Sequence, residues 1–191
     1  MPTGQLILEI TIFGLAVWLG FYLIARNPRA ARLRYAGLGV IAYALSLGTD
    51  LLAIYAPTES LSLTFARLHW PMLFLPAFFW LASLMNLLDD EAGSSLPSVV
   101  KNWQTGLLLT AIPIYLFSAG TNLIFDFSQT PPQSGPAYPI FAAATLLPLL
   151  IALGLTWRVY QTAEAKKPIG LIAIATLFFG LSAGLLVFPL G

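Results

Sequence analysis

Long apolar stretches separated by short polar segments dominate the chain. Each is close to the roughly 20 residues that a helix needs to cross the ~30 Å hydrocarbon core of a bilayer. The pattern predicts an all-α, polytopic membrane helical bundle that forms a single domain over residues 1–191. Its six transmembrane helices are predicted at about 5–25, 33–55, 62–88, 102–125, 138–160 and 169–189.

Helix-breaking residues separate these stretches. Pro28 ends the first helix, because its ring clashes with the preceding turn. Ser60 or Ser62 is predicted to cap the third helix, and Pro71 and Pro76 predict a kink within it. Small residues along the second helix predict close approach to a neighbouring helix.

Composition supports a membrane protein. The chain is 58% hydrophobic and 9% charged, with a mean hydropathy of +0.83, whereas soluble domains are about 25% charged. The lipid bilayer is therefore the first expected partner. The net charge of +1 predicts no nucleic-acid partner. The chain has no cysteine and one histidine, which excludes thiolate metal sites and a bis-histidine haem within one chain. No cofactor is implied.

Basic residues predict the orientation. With six helices, every Lys and Arg except Arg67 falls in or beside the first, third and fifth loops. Basic residues in short loops mark the cytoplasmic side, so the N-terminus is predicted outside and the location is the inner membrane. The chain would then end outside on an apolar segment, which leads us to expect a seventh helix and an output domain beyond residue 191.

Several motifs resemble one family. Arg-Asn-Pro-Arg at 26–29 follows the first helix, and an acid, Asp50, lies near the end of the second. Phe-Ala-Arg-Leu-His-Trp at 65–70 then leads into Pro-Ala-Phe-Phe-Trp at 76–80. This pattern resembles the N-terminal seven-helix sensor region found ahead of many bacterial histidine kinases and diguanylate cyclases. The match covers about residues 1–90, and the resemblance implies a sensor or input module.

The predicted topology gathers polar groups towards the outer face. Charged side chains at membrane depth are costly, so they tend to pair or line a polar cavity. One reading is an outward-facing pocket for a small-molecule or lipid ligand. The other is a structural Asp50–Arg67 pair, with Glu9 and Asp126 lying in the interface. The candidate residues are Glu9, Asp50, Arg67, His69, Asn122 and Asp126.

His69 and the arginine cluster at the first turn can each be interpreted in more than one way. His69 is a candidate pH sensor or axial ligand to a haem or chlorophyll, or simply a hydrogen-bonded interface residue. The cluster at the first turn either binds anionic lipid headgroups or sets topology alone. It consists of Arg26, Arg29, Arg32 and Arg34.

No catalytic or metal-binding motif is present in the sequence. The leading functional prediction is a non-catalytic sensor module of a bacterial signalling receptor. The alternative is a non-catalytic accessory subunit of a larger membrane complex, such as an energy-converting one, and a small transporter ranks third. A homo-oligomer or other membrane subunits are the expected protein partners.

Overall fold

The computed structural model describes residues 3–72, 75–91, 109, 112–128, 132–162, 170 and 174. The first four helices are α1 (Thr3–Arg26), α2 (Ala31–Ile54), α3 (Glu59–Met72) and α4 (Leu75–Glu91). Helical residues 112–120 form α5, and Tyr138–Thr162 is α6.

A short antiparallel hairpin lies between α5 and α6. Strand β1 (Phe125–Asp126) pairs with β2 (Gln133–Ser134), with Phe125 opposite Ser134. The protein is therefore mostly helical, but the all-α prediction missed this hairpin.

Within the described residues, three helical segments are long and apolar enough to cross a membrane, by length and composition: Gly4–Arg26, Ala31–Ile54 and Glu59–Leu87. The third covers α3 and most of α4, which together correspond to the single helix predicted at 62–88. Apart from residues 170 and 174, the predicted helix at 169–189 lies outside the described residues, and so does most of 102–111. These segments indicate a membrane location.

Helix α2 is the centre of the packing, because α1, α3 and α4 all contact it. Its buried residues are all small, as the sequence predicted: Gly37, Gly39, Ala42, Ala44 and Ser46. Gly37 meets Gly20 of α1 so closely that a Cβ atom on Gly37 would lie 2.6 Å from the Gly20 carbonyl oxygen. Small residues therefore allow direct backbone approach of the two helices.

The turn between α2 and α3 is closed by polar side chains. The Thr58 hydroxyl accepts a 3.4 Å hydrogen bond from the Leu61 N–H, so Thr58 rather than Ser60 or Ser62 caps α3. Ser62 instead donates its hydroxyl to the Ala53 carbonyl oxygen at 2.7 Å. Its hydroxyl fastens α3 back onto the end of α2.

The segment after α5 turns inward instead of continuing the helix. Its backbone bonds run to the hairpin, with Gly135 N–H donating to the Ile124 carbonyl and Ala137 N–H to that of Leu123. The helix predicted to reach residue 125 therefore stops at residue 120. Tertiary packing explains the early end, since Phe125 is 3% exposed and lies in an aromatic cluster.

That cluster joins four parts of the chain. The Phe125 ring lies 5.5 Å from Trp70 of α3, 4.9 Å from Phe141 of α6 and 6.1 Å from Phe127, measured between centroids. Phe78 of α4 belongs to the same buried core. The hairpin is thereby packed against α3, α4 and α6 near one end of the bundle.

Candidate functional site

His69 of α3 is held against α2 by one of its ring nitrogens, Nδ1. Nδ1 lies 2.9 Å from the Ser46 carbonyl oxygen and 3.3 Å from the Ser46 hydroxyl. Because a carbonyl only accepts, the shorter contact requires Nδ1 to carry a proton. In the neutral imidazole, Nε2 is then an unprotonated acceptor.

Asp50 faces that second nitrogen. Its Oδ1 atom lies 3.8 Å from Nε2 of His69, beyond hydrogen-bond distance. The His69 side chain is 13% exposed and that of Asp50 42%. Asp50 and His69, two of the predicted site residues, therefore face each other across the α2–α3 interface without a direct hydrogen bond.

Arg67 points to the other side of α3. Its Nη2 donates to Oδ1 of Asn122 at 2.6 Å, and its Nη1 donates to the Ala119 carbonyl oxygen at 3.3 Å. The guanidinium carbon also lies 4.8 Å from the centre of the Phe127 ring, a cation–π distance. Arg67 thus fastens α3 to the end of α5 and to the hairpin.

The predicted Asp50–Arg67 pair is therefore not formed in the described part of the chain, because Asp50 faces His69 and Arg67 faces Asn122. The physical reason is helical geometry. Residues 67 and 69 are separated by about 200° around a helix of 3.6 residues per turn, so α2 and α5 each receive one of them.

The last two outer-face candidates stand apart. Glu9 accepts a 3.0 Å hydrogen bond from Gln5 on its own helix. Asp126 accepts the Ser128 backbone N–H at 3.0 Å. That backbone bond, followed by the Ser128 hydroxyl, lowers the pKa of the Asp126 carboxyl from its ordinary value. Among the described residues, neither acid forms a hydrogen bond or ion pair with His69 or Arg67.

The four arginines of the first turn are also separated. Arg26 and Arg32 line a cavity of about 530 Å³ where α1, α2 and α4 meet. Arg29 and Arg34 are exposed and are not among its lining residues. Two further cavities, of about 660 and 230 Å³, have mainly apolar linings and include none of the candidate residues.

Ser46, His69 and Asp50 have the composition of a hydrolase triad but not its chemistry. The Nδ1 proton is directed to the main-chain carbonyl, so this nitrogen cannot act as a base towards the Ser46 hydroxyl. Ser46 is also 1% exposed, which leaves no access for a substrate. Within the described ranges, no group of three or more His, Asp and Glu side chains is placed to hold a metal ion.

Three residues that lie beside the predicted site were not predicted to belong to it: Ser46, Phe125 and Phe127. Ser46 lies four residues before Asp50, on the same face of α2, and that spacing was a usable signal. The two phenylalanines carried no such signal, since an apolar side chain facing lipid and one facing a protein core look alike in sequence.

No family model matches the sequence, and no curated protein or solved structure matches the chain. The resemblance to seven-helix sensor regions therefore stays a prediction, and function is inferred from the contacts of the chain's own residues.

Proposed function

We propose that the chain is the membrane-embedded input module of a bacterial signalling receptor in the inner membrane, non-catalytic by itself. The observation that carries the proposal is the His69–Asp50 contact, in which a fixed imidazole presents its second nitrogen to a carboxylate at 3.8 Å. Such a contact is a two-state element between helices, which is what a sensor requires.

A proton is the input that this geometry favours. In the neutral state, the Nε2 lone pair faces the Asp50 carboxylate, and the two groups repel each other. Protonation places an N–H donor there, and a charge-assisted bond favours a separation of roughly 2.7–2.9 Å. Closing the gap from 3.8 Å draws α3 towards α2 at this level. Histidine suits this role because its ordinary pKa lies near neutrality.

The proposed orientation places the N-terminus outside and the first turn in the cytoplasm, with six or more spans in total. The distribution of basic residues supports it. The His69–Asp50 contact then lies in the outer half of the membrane, and α2 connects it to the cytoplasmic face. A small movement of α2 against its neighbours is the expected output.

Nuclear magnetic resonance of the full chain in nanodiscs, labelled with ¹⁵N only at histidine, tests the state of the pair. The spectrum should show a neutral ring protonated at Nδ1 that gains a second proton on acidification. In the Asp50→Asn variant, the Nε2 resonance of the acidified ring should lack the shift that a charge-assisted bond to a carboxylate produces. Glu9→Gln is the matched control, since it removes another helix-borne acid, and it should leave that resonance unchanged.

The proposed movement of α3 towards α2 requires a second measurement. The chain contains no cysteine, so spin labels can be attached at Leu52→Cys on α2 and Leu63→Cys on α3, both exposed. Their dipolar coupling should change between pH 8 and pH 5, and the change should vanish in His69→Gln. An equal change in His69→Gln would show that the pair is not the sensor.

A second candidate, a non-catalytic accessory subunit of a larger complex, is favoured by α1. Only 6% of its most apolar window is buried, against 33% for α2. A helix this open can dock against another subunit as well as against lipid. Cross-linking in native membranes from a label at Leu15, which is 60% exposed, would favour this candidate if it captured one defined subunit.

A further inference from the structure

The cavity beside the first turn, hereafter the arginine cavity, has two kinds of wall. Arg26, Asn27 and Arg32 supply guanidinium and amide groups. Leu33, Ala36 and Leu87 supply apolar surface, and Ser83 completes the lining. Among the described residues that line it, none carries a carboxylate. Its volume of about 530 Å³ lies in the usual range for a small-molecule site.

The polar wall is built to receive an anion. Planar guanidinium groups donate in a fork that matches phosphate oxygens. The start of α2 adds a favourable field, because Ala30 occupies the N-cap position without a side-chain cap bond. The first N–H groups of a helix carry partial positive charge when no side chain neutralises them.

The arginine cavity is held in shape by the chain itself. The Ser83 hydroxyl of α4 donates to the Arg32 carbonyl oxygen at 2.9 Å, which fastens α4 to the first turn of α2. The Asn27 side chain accepts the Arg29 N–H at 3.2 Å, which shapes the turn. Arg32 also makes a further interaction within the protein, so its position is constrained before any ligand arrives.

We propose that the arginine cavity binds the phosphate group of an anionic phospholipid. The apolar wall of Leu33, Ala36 and Leu87 continues from the polar wall, as a ligand with a charged head and acyl chains requires. The cavity also lies where the candidate spans Gly4–Arg26 and Ala31–Ile54 meet their connecting turn. Basic side chains at such a level bind anionic headgroups.

The proposal separates the four arginines of the turn by role. Arg26 and Arg32 contact the headgroup, whereas Arg29 and Arg34 contribute only to the positive charge of the turn. The Arg26→Gln/Arg32→Gln and Arg29→Gln/Arg34→Gln double variants therefore form a matched pair. Each removes two positive charges from the same turn, and only the first changes the cavity lining.

The experiment measures lipid retention by the full chain. Each protein is incorporated into nanodiscs of mixed phosphatidylglycerol and phosphatidylcholine and released for native mass spectrometry, which counts bound lipids. Wild type should retain phosphatidylglycerol selectively. The cavity pair should weaken that retention about tenfold or more, corresponding to the loss of charge-assisted bonds. The exposed pair should stay close to wild type.

A second variant guards against loss of folding. Leu87→Trp fills the apolar side of the arginine cavity without changing charge, and it should also lose selective retention. Equal losses in the two arginine pairs, with Leu87→Trp like wild type, would overturn the proposal in favour of charge alone.

Added inorganic phosphate distinguishes a lipid headgroup from free phosphate as the anion in the arginine cavity. If the site takes lipid, phosphate in the nanodisc buffer should leave the retained phosphatidylglycerol unchanged. If phosphate displaces the lipid fully, or if both lipids are retained equally, the assignment to an anionic phospholipid is wrong. Neither result depends on the His69–Asp50 pair, so failure here leaves the sensor proposal open.

Discussion

The two ends of α2 are built by different means. At the end that contains Asp50, side chains make the contact, with His69 bridging from α3. At the end that contains Arg32, the contact between α1 and α2 is made by backbones, since Gly37 and Gly20 meet directly. Asp50 and Arg32 are separated by about 27 Å along the helix at 1.5 Å per residue, close to the ~30 Å of a bilayer core.

The proposal that the histidine end receives the input depends on this difference. The His69–Asp50 contact lacks a direct hydrogen bond, so it can adopt two arrangements that differ by one proton. A backbone contact between glycines has one arrangement, because close-packed interiors resist small displacements. We infer that the histidine end receives the input and that the arginine end is anchored, with lipid contributing to the anchor.

The largest expected effect comes from removing the support of the histidine end. Phe125→Ala empties the centre of the aromatic cluster that contains Trp70, the neighbour of His69. The free energy of unfolding should fall by about 3–5 kcal/mol, as for other buried phenylalanines. Thermal unfolding in nanodiscs would measure the loss.

The control is Phe21→Ala on α1. Phe21 is 61% exposed where Phe125 is 3% exposed, so its removal should change stability little. Equal losses in the two variants would show that the hairpin is not part of the folded core.

The next effect tests the anchored end. Gly37→Ala places a Cβ atom 2.6 Å from both the Gly20 carbonyl oxygen and the Ile24 Cγ1 atom. The backbone must shift to accommodate it, and overpacking of this kind costs about 1–3 kcal/mol.

Gly14→Ala is the matched substitution, because a Cβ atom there meets nothing within 4 Å. Alanine favours helix more than glycine does, so this variant should be neutral or up to about 1 kcal/mol more stable. Denaturant titration of both variants would decide. A tolerated alanine at position 37 would remove the contrast between the two ends.

The smallest expected effect is on the pH dependence of the hairpin. Ser128 lowers the pKa of Asp126 in the folded chain, so the ionised carboxylate stabilises the hairpin above the unfolded pKa. That contribution is lost as the pH falls through the folded pKa. Ser128→Ala should raise the Asp126 titration midpoint only partway, because the larger backbone bond remains.

Carbon-detected nuclear magnetic resonance of the Asp126 carboxyl would follow this titration. A response of the hairpin near neutral pH would show that a group other than Asp126 controls it. If instead Ser128→Ala restored an ordinary midpoint in full, the side-chain bond would be the dominant one.

Hydrophobic pattern located the first two helices well. They were expected at 5–25 and 33–55 and lie at Thr3–Arg26 and Ala31–Ile54. Length and a helix-breaking turn suffice for this, since every backbone group in lipid must be satisfied within the helix. The end of α5 was missed because burial of Phe125 depends on Trp70 and Phe141, which are distant in sequence.

The site divides in the same way. The predicted topology placed Asp50, Arg67 and His69 in one region, because two helices joined by a short turn share an end. The pairing was wrong, although the angle between positions 67 and 69 on a helix was available without a structure. The Ser46 carbonyl as a partner of His69 was not available, because backbone acceptors carry no sequence signal.

That carbonyl has a mechanical consequence. Besides the Nδ1–H of His69, the Ser46 oxygen accepts the Thr49 hydroxyl at 2.8 Å, and helix geometry also directs the Asp50 N–H towards it. Donors that crowd one oxygen compete, and an inserted side chain loosens the local helical ladder. Movement of the imidazole therefore acts on the acceptor of the Asp50 backbone N–H, which links the side-chain contact directly to the backbone hydrogen bonds of α2.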